Sequence, residues 1–436
     1  MLVCKFGGTS MANAETISKV ADIINSDPER KYVVVSAPGK RDRQDTKVTD
    51  LLYKCFAEAQ ATGNCAETFK QVKERFDAII KGLKIDLDLS DDYAEIENNI
   101  NASTTADYAA SRGEYLSAKV LAKKLGYAFL DTLKLIKFNE DGEFQLDYSI
   151  DLIRQEMAKV KKAVFPGFYG SSPGDVVKTF TRGGSDVTGA IIARAANADV
   201  YENWTDVSGF MKADPRIVSN PKKIEYLSYR ELRELSYMGA NVLHPESIFP
   251  VRNAGIPINI KNTFAPDDSG TMIVPTSKLP DNTSVITGIA GQKGFTIILI
   301  EKAMMNSEVG FVRKVLSVME YENISVEHIP SGIDTLCIVV RDEDVQNKMQ
   351  KVLDKIRDSV SADNVEIHSG LSLVAVVGHN MASRQGTAAT IFASLAKSNI
   401  NVRMIDQGSS ELNVIVGIDT FDYEKAINTI YHAFED

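Results

Sequence analysis

The sequence contains few of the residues on which disulfide frameworks, zinc sites and histidine-based catalysis depend. Its 436 residues include only four cysteines, five histidines and one tryptophan. The cysteines, Cys4, Cys55, Cys65 and Cys337, form no C-x-x-C pair. They therefore predict reduced thiols in a cytoplasmic protein, with neither a disulfide framework nor a zinc site. We assign no metal-ligating residues.

Membrane and nucleic-acid signals are also missing from the sequence. No apolar run reaches membrane-spanning length, and the N-terminus lacks the charged and apolar regions of a signal peptide. The formal net charge of −10 disfavours nucleic acid and anionic membranes as partners. A chain of this length, 44% hydrophobic and 25% charged, is typical of globular proteins with two or three domains.

The first ten residues, MLVCKFGGTS, form the most informative stretch. Leu2 to Cys4 predict a short buried strand, and Gly7-Gly8 predict a turn whose backbone N–H groups can bind an anion. Either Ser10 or Asn13 can cap the helix that follows. A strand, a glycine turn and a helix N-terminus together form a phosphate site, and Lys5 adds a positive charge.

Two common nucleotide motifs do not explain this stretch. In a P-loop the lysine follows the glycines, whereas Lys5 precedes them. No G-x-G-x-x-G occurs, so a Rossmann dinucleotide site has no support. The alternative is an ordinary βα turn whose glycines serve only the turn.

A second segment repeats the same order. A predicted strand, 176–180, leads into Thr181-Arg182-Gly183-Gly184-Ser185-Asp186 and then into an apolar helix, 187–196. Further strands are predicted at 31–36, 163–170, 199–204 and 257–260, and they alternate with helices predicted at 67–83, 105–124 and 228–237. The strand at 257–260 is predicted to be the last of its domain. A further helix begins with Thr49 as its cap, and residues 84–102 are acidic and predicted irregular. This alternation predicts an α/β domain with a mainly parallel sheet between helix layers.

The C-terminal third contains an internal repeat at an offset of 76 residues. Gly310 corresponds to Gly386, and the pattern N-I-x-V-x-x-I-x-x-G recurs from Asn323 and from Asn399. Each copy predicts strand, helix, strand, strand, helix, so we expect two small α/β modules packed side by side. Residues 275–284 predict a linker before them.

The stretch KFGGTS resembles the aspartokinase signature within the amino-acid kinase family. The two repeat copies resemble paired ferredoxin-like ACT domains, and residues 404–411, MIDQGSSE, resemble the second ACT domain of aspartokinases. The resemblance implies an amino-acid kinase domain at 1–275, a first ACT domain at 285–370 and a second at 371–436. No homoserine dehydrogenase region is expected.

The resemblance further implies ATP-dependent phosphorylation of the L-aspartate β-carboxylate, the first step of lysine, threonine and methionine biosynthesis, with Mg²⁺. That β-carboxylate is ionised at pH 7 and needs no general base. Arg182 suits the α-carboxylate of aspartate, and Glu114 suits its ammonium. The expected catalytic residues are Lys5 and Asp186, and the other substrate residues are Ser36, Thr49 and Ser185. The expected nucleotide residues are Lys5, Gly7, Gly8, Thr9, Thr205, Asp206, Met211, Arg216 and Asn241.

Two positions depart from the family pattern, and other functions stay open. Asn241 stands where aspartokinases usually have lysine, and Met211 where they tend to have tyrosine; both concern nucleotide binding. The alternatives are a kinase acting on glutamate or acetylglutamate, and an amino-acid sensor whose kinase domain is inactive. Because acetylglutamate has no ammonium to pair, Glu114 argues against that substrate.

A regulatory site is expected in the first repeat copy. Met305, Gly310 and Phe311 lie at a predicted strand-to-helix turn whose N–H groups suit an α-carboxylate. Val326 and Glu327 follow in a predicted strand, where Glu327 offers its charge to an ammonium; the alternative is a solvated strand residue. The family resemblance makes lysine the first choice of effector and threonine the second. It also implies a homodimer or homotetramer formed through the ACT domains.

Overall fold

Eight strands form the main sheet of the first of two units in this computed structural model, which describes residues 1–102, 104–181, 183–240, 242–281 and 284–435. The first unit comprises Met1–Phe210, Glu225–Tyr229 and Val242–Leu279. Its strands are β1 (Leu2–Phe6), β2 (Arg30–Val35), β3 (Ala128–Phe129), β4 (Ala163–Pro166), β5 (Tyr169–Ser172), β6 (Val176–Thr179), β7 (Val200–Thr205), β8 (Tyr226–Ser228), β9 (Ile258–Asn262) and β10 (Thr271–Val274). The sheet order is β3-β4-β2-β1-β7-β9-β10-β8, and β5 and β6 form a separate pair.

All pairings in the main sheet are parallel except that of β9 with β10. The helices of this unit are α1 (Ala14–Asn25), α2 (Val48–Thr62), α3 (Ala66–Leu83), α4 (Ser90–Asn101), α5 (Ala106–Leu125), α6 (Leu146–Met157), α7 (Gly184–Ala195) and α9 (Phe249–Ala254). The predicted mainly parallel α/β fold is confirmed.

Strand β1 is the fourth of the eight strands in the sheet order and lies between β2 and β7. Val3, Cys4 and Phe6 are fully buried, as the apolar run predicted. Phe6 stacks on Trp204 of β7 with ring centroids 5.8 Å apart. Strands buried on both faces are typical of parallel sheets covered by helices. The carboxyl end of β1, which contains Lys5 and leads into the glycine turn, therefore lies in the middle of the sheet.

Several local predictions were wrong. Residues 84–102 are not irregular throughout, because α4 buries Tyr93, Ile96 and Ile100 along one helical face. The strand predicted at 163–170 is two strands, β4 and β5, separated at Phe168, whose φ is +79°. The strand at 257–260 is not the last of its unit, because β10 folds back antiparallel to β9.

At the helix starts, one predicted cap was wrong and one of two alternatives is selected. Thr49 is not a cap, because α2 begins at Val48 with Lys47 in the cap position. Of the two candidates before α1, Asn13 is the cap, accepting from the backbone N–H of Thr16, while the Ser10 hydroxyl bonds that of Thr263 at 2.8 Å. The prediction for α5 is confirmed to within one residue at each end, with Thr105 as its N-cap and Gly126 as its C-cap.

The second unit comprises Met211–Ile224, Arg230–Asn241 and Pro280–Asp436. Its five antiparallel strands run in the order β12-β11-β13-β15-β14. They are β11 (Gly288–Glu301), β12 (Thr335–Arg341), β13 (Asn364–Val377), β14 (Val402–Asp406) and β15 (Asn413–Asp419). Its helices are α8 (Tyr229–Tyr237, all but its first residue), α10 (Phe311–Tyr321), α11 (Asp342–Val345), α12 (Met349–Val360), α13 (Thr387–Lys397) and α14 (Tyr423–Glu435).

The 76-residue repeat has a structural counterpart. Strand β13 begins and ends 76 residues after β11, and α13 does the same relative to α10. The two helix caps, Gly310 and Gly386, have φ values of +84° and +88°. One predicted strand is missing from the first copy: Val326 and Glu327 lie outside any named strand, next to an isolated bridge at His328. The predicted domain boundaries stay a prediction. No helix among the described residues is long and apolar enough to cross a membrane.

Candidate active site

Lys5 and Asp186 form an ion pair at the centre of the first unit. Lys5 lies near the end of β1 and is 8% exposed, and its Nζ lies 2.6 Å from Oδ1 of Asp186. Asp186 is in the first turn of α7, directly after the second glycine turn. The two glycine segments that the sequence singled out therefore converge on one point. A buried lysine beside a helix N-terminus can bind a phosphate.

A buried asparagine, which the sequence reasoning missed, orients Asp186. Asn203 is 3% exposed, and its Nδ2 donates to Asp186 Oδ1 at 2.8 Å. It lies on β7, directly opposite Lys5 in the parallel register of β1 and β7. A polar amide inside an otherwise buried strand is the signal that could have identified it.

We expect Asn203→Ala to lower kcat by roughly 10-fold or more while changing both KM values less, because a hydrogen bond to a charged group contributes roughly 1.5–3 kcal/mol. Steady-state kinetics test this, with Asn259→Ala on the neighbouring strand β9 as the matched control. Equal losses in both variants would mean that Asn203 serves only the sheet.

The loops after β1 and β2 meet backbone to backbone. The N–H of Gly39 donates to the carbonyl of Gly8 at 2.8 Å. A Cβ added to Gly39 would lie 2.7 Å from the carbonyl carbon of Gly8, so no side chain fits there. This contact leaves the glycine turn as a cradle of bare backbone, which suits close approach of phosphate oxygens.

A buried arginine supports this loop from α3. Arg75 donates through Nη1 to the carbonyl of Ala12 at 3.2 Å and through Nη2 to Asp45 Oδ2 at 2.5 Å. Hydrogen bonds from Arg41 and Arg75 hold the pKa of Asp45 well below its usual range. The segment after β2 is therefore fixed to both the glycine turn and α3.

Glu114 presents an unpartnered carboxylate oxygen on α5. The residue is 5% exposed, and its Oε2 is buried with no hydrogen-bond partner among the described residues. Burial raises the pKa of Glu114 to about 8, although a hydrogen bond from the backbone of Ala37 and the charges of Arg112 and Lys5 oppose that rise. Ala37 follows β2, and a Cβ added to Gly113 would lie 2.6 Å from the Ala37 Cβ. The buried carboxyl group of Glu114 therefore suits a ligand group that is positively charged.

The Thr-Asp pair after β7 lies beside the first glycine turn. The Thr9 hydroxyl donates to Asp206 Oδ2 at 3.1 Å, and the Thr205 hydroxyl contacts Asp206 Oδ1 at 3.2 Å. Asp206 itself is exposed. Three predicted nucleotide residues are therefore adjacent at the carboxyl ends of β1 and β7.

Lys5, Asp186, Glu114 and the first glycine turn lie close together, and we call this group the cleft. Three other predicted residues of the first unit are described. Ser36 is half-buried, and its N–H donates to the carbonyl of Phe6 at 3.1 Å. Ser185, in the first turn of α7, is 9% exposed. Thr49, half-buried, is the second residue of α2. Arg182 and Asn241 lie outside the described residues.

Two further predicted nucleotide residues, both described, belong to the second unit. Met211 forms an isolated bridge with Lys223. Arg216 makes an exposed pair with Asp214, its Nη2 2.6 Å from Oδ2. Both residues stay candidates for nucleotide contact.

The predicted effector residues all lie in the second unit. Met305 and Phe311 are buried beside Gly310, the cap of α10, and Val326 is half-buried. The Glu327 carboxylate is already bonded: Arg341 Nε donates to Oε1 at 2.8 Å and the Tyr237 hydroxyl to Oε2 at 2.6 Å. A ligand ammonium would therefore have to replace or join one of these partners.

Comparisons with known proteins give consistent matches. The amino acid kinase family model matches residues 1–262, and an ACT domain model matches residues 374–434. Aspartokinase 3 of Bacillus subtilis is 39% identical over 450 residues, covering all of this chain and 98% of that protein.

Solved structures of similar proteins extend over the whole chain. An aspartate kinase of Clostridium acetobutylicum, described as an allosteric enzyme, is 51% identical with a TM-score of 0.95 and full coverage of both chains. Aspartokinase III of Escherichia coli, in complex with lysine and aspartate, is 25% identical with a TM-score of 0.75 and full coverage of both chains. Both similarities include the region of the second unit as well as that of the first.

Proposed function

The chain belongs to the amino acid kinase family and is an aspartokinase, and on this premise we propose that it transfers the γ-phosphoryl group of ATP to the β-carboxylate of L-aspartate. The product is 4-phospho-L-aspartate, the first intermediate of lysine, threonine and methionine biosynthesis. The observation that carries the choice of substrate is Oε2 of Glu114, which is buried and has no hydrogen-bond partner in the described ranges. That oxygen suits the ammonium of a free amino acid, which an acetylated substrate lacks.

The reaction needs positioning and charge stabilisation more than proton transfer. The β-carboxylate of aspartate has an ordinary pKa near 3.9, so at neutral pH it is already ionised. One of its oxygens forms a bond to the γ-phosphorus while the bond from phosphorus to the ADP oxygen breaks. Negative charge is spread over the transferring group throughout. Lys5 and the N–H groups of the two glycine turns supply the opposing charge.

The Lys5–Asp186 pair gives this role a defined geometry. Asp186 fixes the lysine ammonium at 2.6 Å, and Asn203 fixes Asp186 in turn. The cation is therefore oriented before the phosphates arrive and needs little reorganisation during the reaction. The backbone cradle of Gly8 and Gly39 and the neighbouring pair Thr9 and Asp206 suit the phosphate chain of ATP.

Mg²⁺ belongs to this proposal as the ion that accompanies the nucleotide. The described residues contain no group of three or more His, Cys, Asp or Glu side chains that could hold a metal ion. Mg²⁺ in kinases is held largely by phosphates and water, with one or two carboxylates, and Asp206 is the exposed carboxylate beside the glycine turn. When bound, it neutralises part of the phosphate charge.

A hydroxylamine trap tests the proposed reaction and its alternatives. The enzyme is incubated with ATP, Mg²⁺ and either aspartate, glutamate or N-acetylglutamate, and acyl phosphate is measured as the hydroxamate. We expect product with aspartate and little with the other two. Preference for glutamate would overturn the assignment of substrate, and no product with any of them would favour a sensor.

We further propose lysine, with threonine as the second choice, as the effector bound in the first repeat copy. The E. coli relative that was solved with lysine supports the choice. Met305, Gly310, Phe311, Val326 and Glu327 would contact it. A homodimer or homotetramer through the ACT domains accompanies this proposal, and sedimentation velocity measures the assembly state.

The repeat provides a matched pair of variants for the effector. Gly310 and Gly386 have the same positive φ at equivalent helix caps, and an added Cβ meets no atom closer than 4.0 Å at Gly310 and none within 4 Å at Gly386. Alanine should therefore strain both positions by a similar ~1 kcal/mol. We expect Gly310→Ala to raise the lysine concentration for half-inhibition severalfold and Gly386→Ala to leave it nearly unchanged. The reverse pattern would move the site to the second copy.

A further inference from the structure

A cavity of about 450 Å³ lies beside α5 in the first unit. Its lining residues come from α4, α5, β6 and the loops around Thr104 and Asp131. None of them belongs to the set assigned to phosphoryl transfer. Arg112 faces this cavity, whereas Glu114 contacts Ala37 in the cleft. Residues two apart on a helix point about 200° from each other, so α5 separates the cavity from the cleft.

A buried cation that makes no ion pair among the described residues lines the cavity. Arg112 is 6% exposed, and its guanidinium lies 4.7, 4.8 and 5.0 Å from the ring centroids of Tyr108, Tyr115 and Tyr169. Its Nε and Nη2 both donate to the Ser111 hydroxyl. No carboxylate in the described ranges forms an ion pair with it. Buried arginines are almost always paired, so this one is left with donors for a ligand acceptor.

An unsatisfied hydroxyl lines the same cavity independently. Oγ1 of Thr104 is buried and has no hydrogen-bond partner within the described part of the chain. Buried polar atoms without partners are uncommon in native proteins and call for an explanation. A ligand carboxylate that accepts hydrogen bonds from this hydroxyl and from Arg112 would provide that explanation.

The remaining charges of the cavity define the ligand class. Four carboxylates line it, and three are engaged: Asp92 with Lys119, Asp131 with Tyr169, and Asp175 with Lys137. Glu95, on the exposed face of α4, makes no ion pair with any residue that the structure describes. A phosphate or other multiply charged anion would meet this acidic lining unfavourably, whereas an ammonium group would be attracted.

We propose that this cavity binds a small molecule that carries both a carboxylate and an ammonium group. The carboxylate bonds to Arg112 and Thr104, and the ammonium faces Glu95. The volume falls within the range of small-molecule sites. This site is separate from the aspartate cleft and from the repeat copies.

Binding of simple ω-amino acids tests the proposal. The probes are β-alanine, 4-aminobutyrate and 6-aminohexanoate at about 10 mM, which suits weak ligands, with hexanoate and hexylamine as single-charge controls. Saturation-transfer NMR on the full-length protein reports binding. We expect at least one ω-amino acid to bind more tightly than either control. If no ω-amino acid outperforms the two controls, the proposal is overturned.

Three variants locate the site. Arg112→Met and Thr104→Val should each weaken binding of the chosen probe about 10-fold, and Glu95→Gln should weaken it severalfold. Thr104→Val removes a hydroxyl that has no hydrogen-bond partner among the residues that the structure describes, so the variant should fold normally even where Arg112→Met does not. Gly310→Ala should leave binding unchanged. Undiminished binding to folded Thr104→Val and Glu95→Gln would contradict the assignment.

Discussion

Replacing Lys5 by methionine is expected to lower kcat at least about 10²–10³-fold, the usual effect of removing one preorganised donor to a transferring group. Methionine keeps the length and the buried apolar stem of lysine but removes its charge. The kinetic loss should therefore exceed any loss of stability. The hydroxamate assay and a urea unfolding curve measure the two effects separately.

The unpaired Asp186 left by this substitution could itself destabilise the protein, because the carboxylate loses its partner at 2.6 Å. The double variant Lys5→Met/Asp186→Asn removes that charge and should recover stability without activity. Lys73→Met, which breaks the pair with Glu97 on α4, is the control for losing a lysine and should keep full activity. Near-wild-type kcat in folded Lys5→Met would overturn the phosphate role of Lys5.

Replacing Glu114 by glutamine is expected to raise the KM for aspartate about 100-fold or more, since a buried ammonium would lose its charged partner. The KM for ATP should change little. The control is Glu74→Gln, an exposed acid on α3. A comparable rise in both KM values would mean that Glu114 supports the structure of the cleft as a whole and does not contact the aspartate ammonium.

The same substitution should stabilise the free enzyme above neutral pH. Burial raises the pKa of Glu114 from 4.5 to about 8, so the unfolded chain releases a proton between those pH values that the folded chain retains. The free energy of unfolding of the wild type therefore falls as pH rises through this window. Glutamine cannot ionise, and the variant should gain about 2–4 kcal/mol at pH 8 relative to pH 5. Parallel urea curves for variant and wild type at both pH values would contradict this.

Some elements were predicted correctly because the residues that determine them form a recognisable pattern in the sequence. Strand β1 and its glycine turn follow from a short apolar run and two glycines. Helix α5 spans Ala106–Leu125, within one residue at each end of the helix predicted at 105–124. The repeat offset of 76 residues predicted the matched β11 and β13 and the matched caps Gly310 and Gly386. For β1 and α5 the determining residues are close together in the sequence, and the repeat is visible as similarity between two segments of the sequence.

Interactions between distant segments could not be predicted in this way. Asn203 lies opposite Lys5 because strand order and register place β7 beside β1. The two residues are 198 positions apart in the sequence. The contact of Gly39 with Gly8 and the support from Arg75 likewise depend on how three loops pack. Helix α4 was missed because its acidic residues concealed a narrow apolar stripe, Tyr93, Ile96 and Ile100.

Proton release on aspartate binding tests the central claim most directly. Near pH 7 a Glu114 with a pKa of about 8 is mostly protonated. An aspartate ammonium bound to it would lower that pKa, so binding should release about one proton per site. Calorimetry in buffers of different ionisation enthalpy, with a non-hydrolysable ATP analogue present, measures this number. We predict release of about one proton by the wild type and none by Glu114→Gln. Aspartate binding without proton release by the wild type, or with equal release by the variant, would contradict the account.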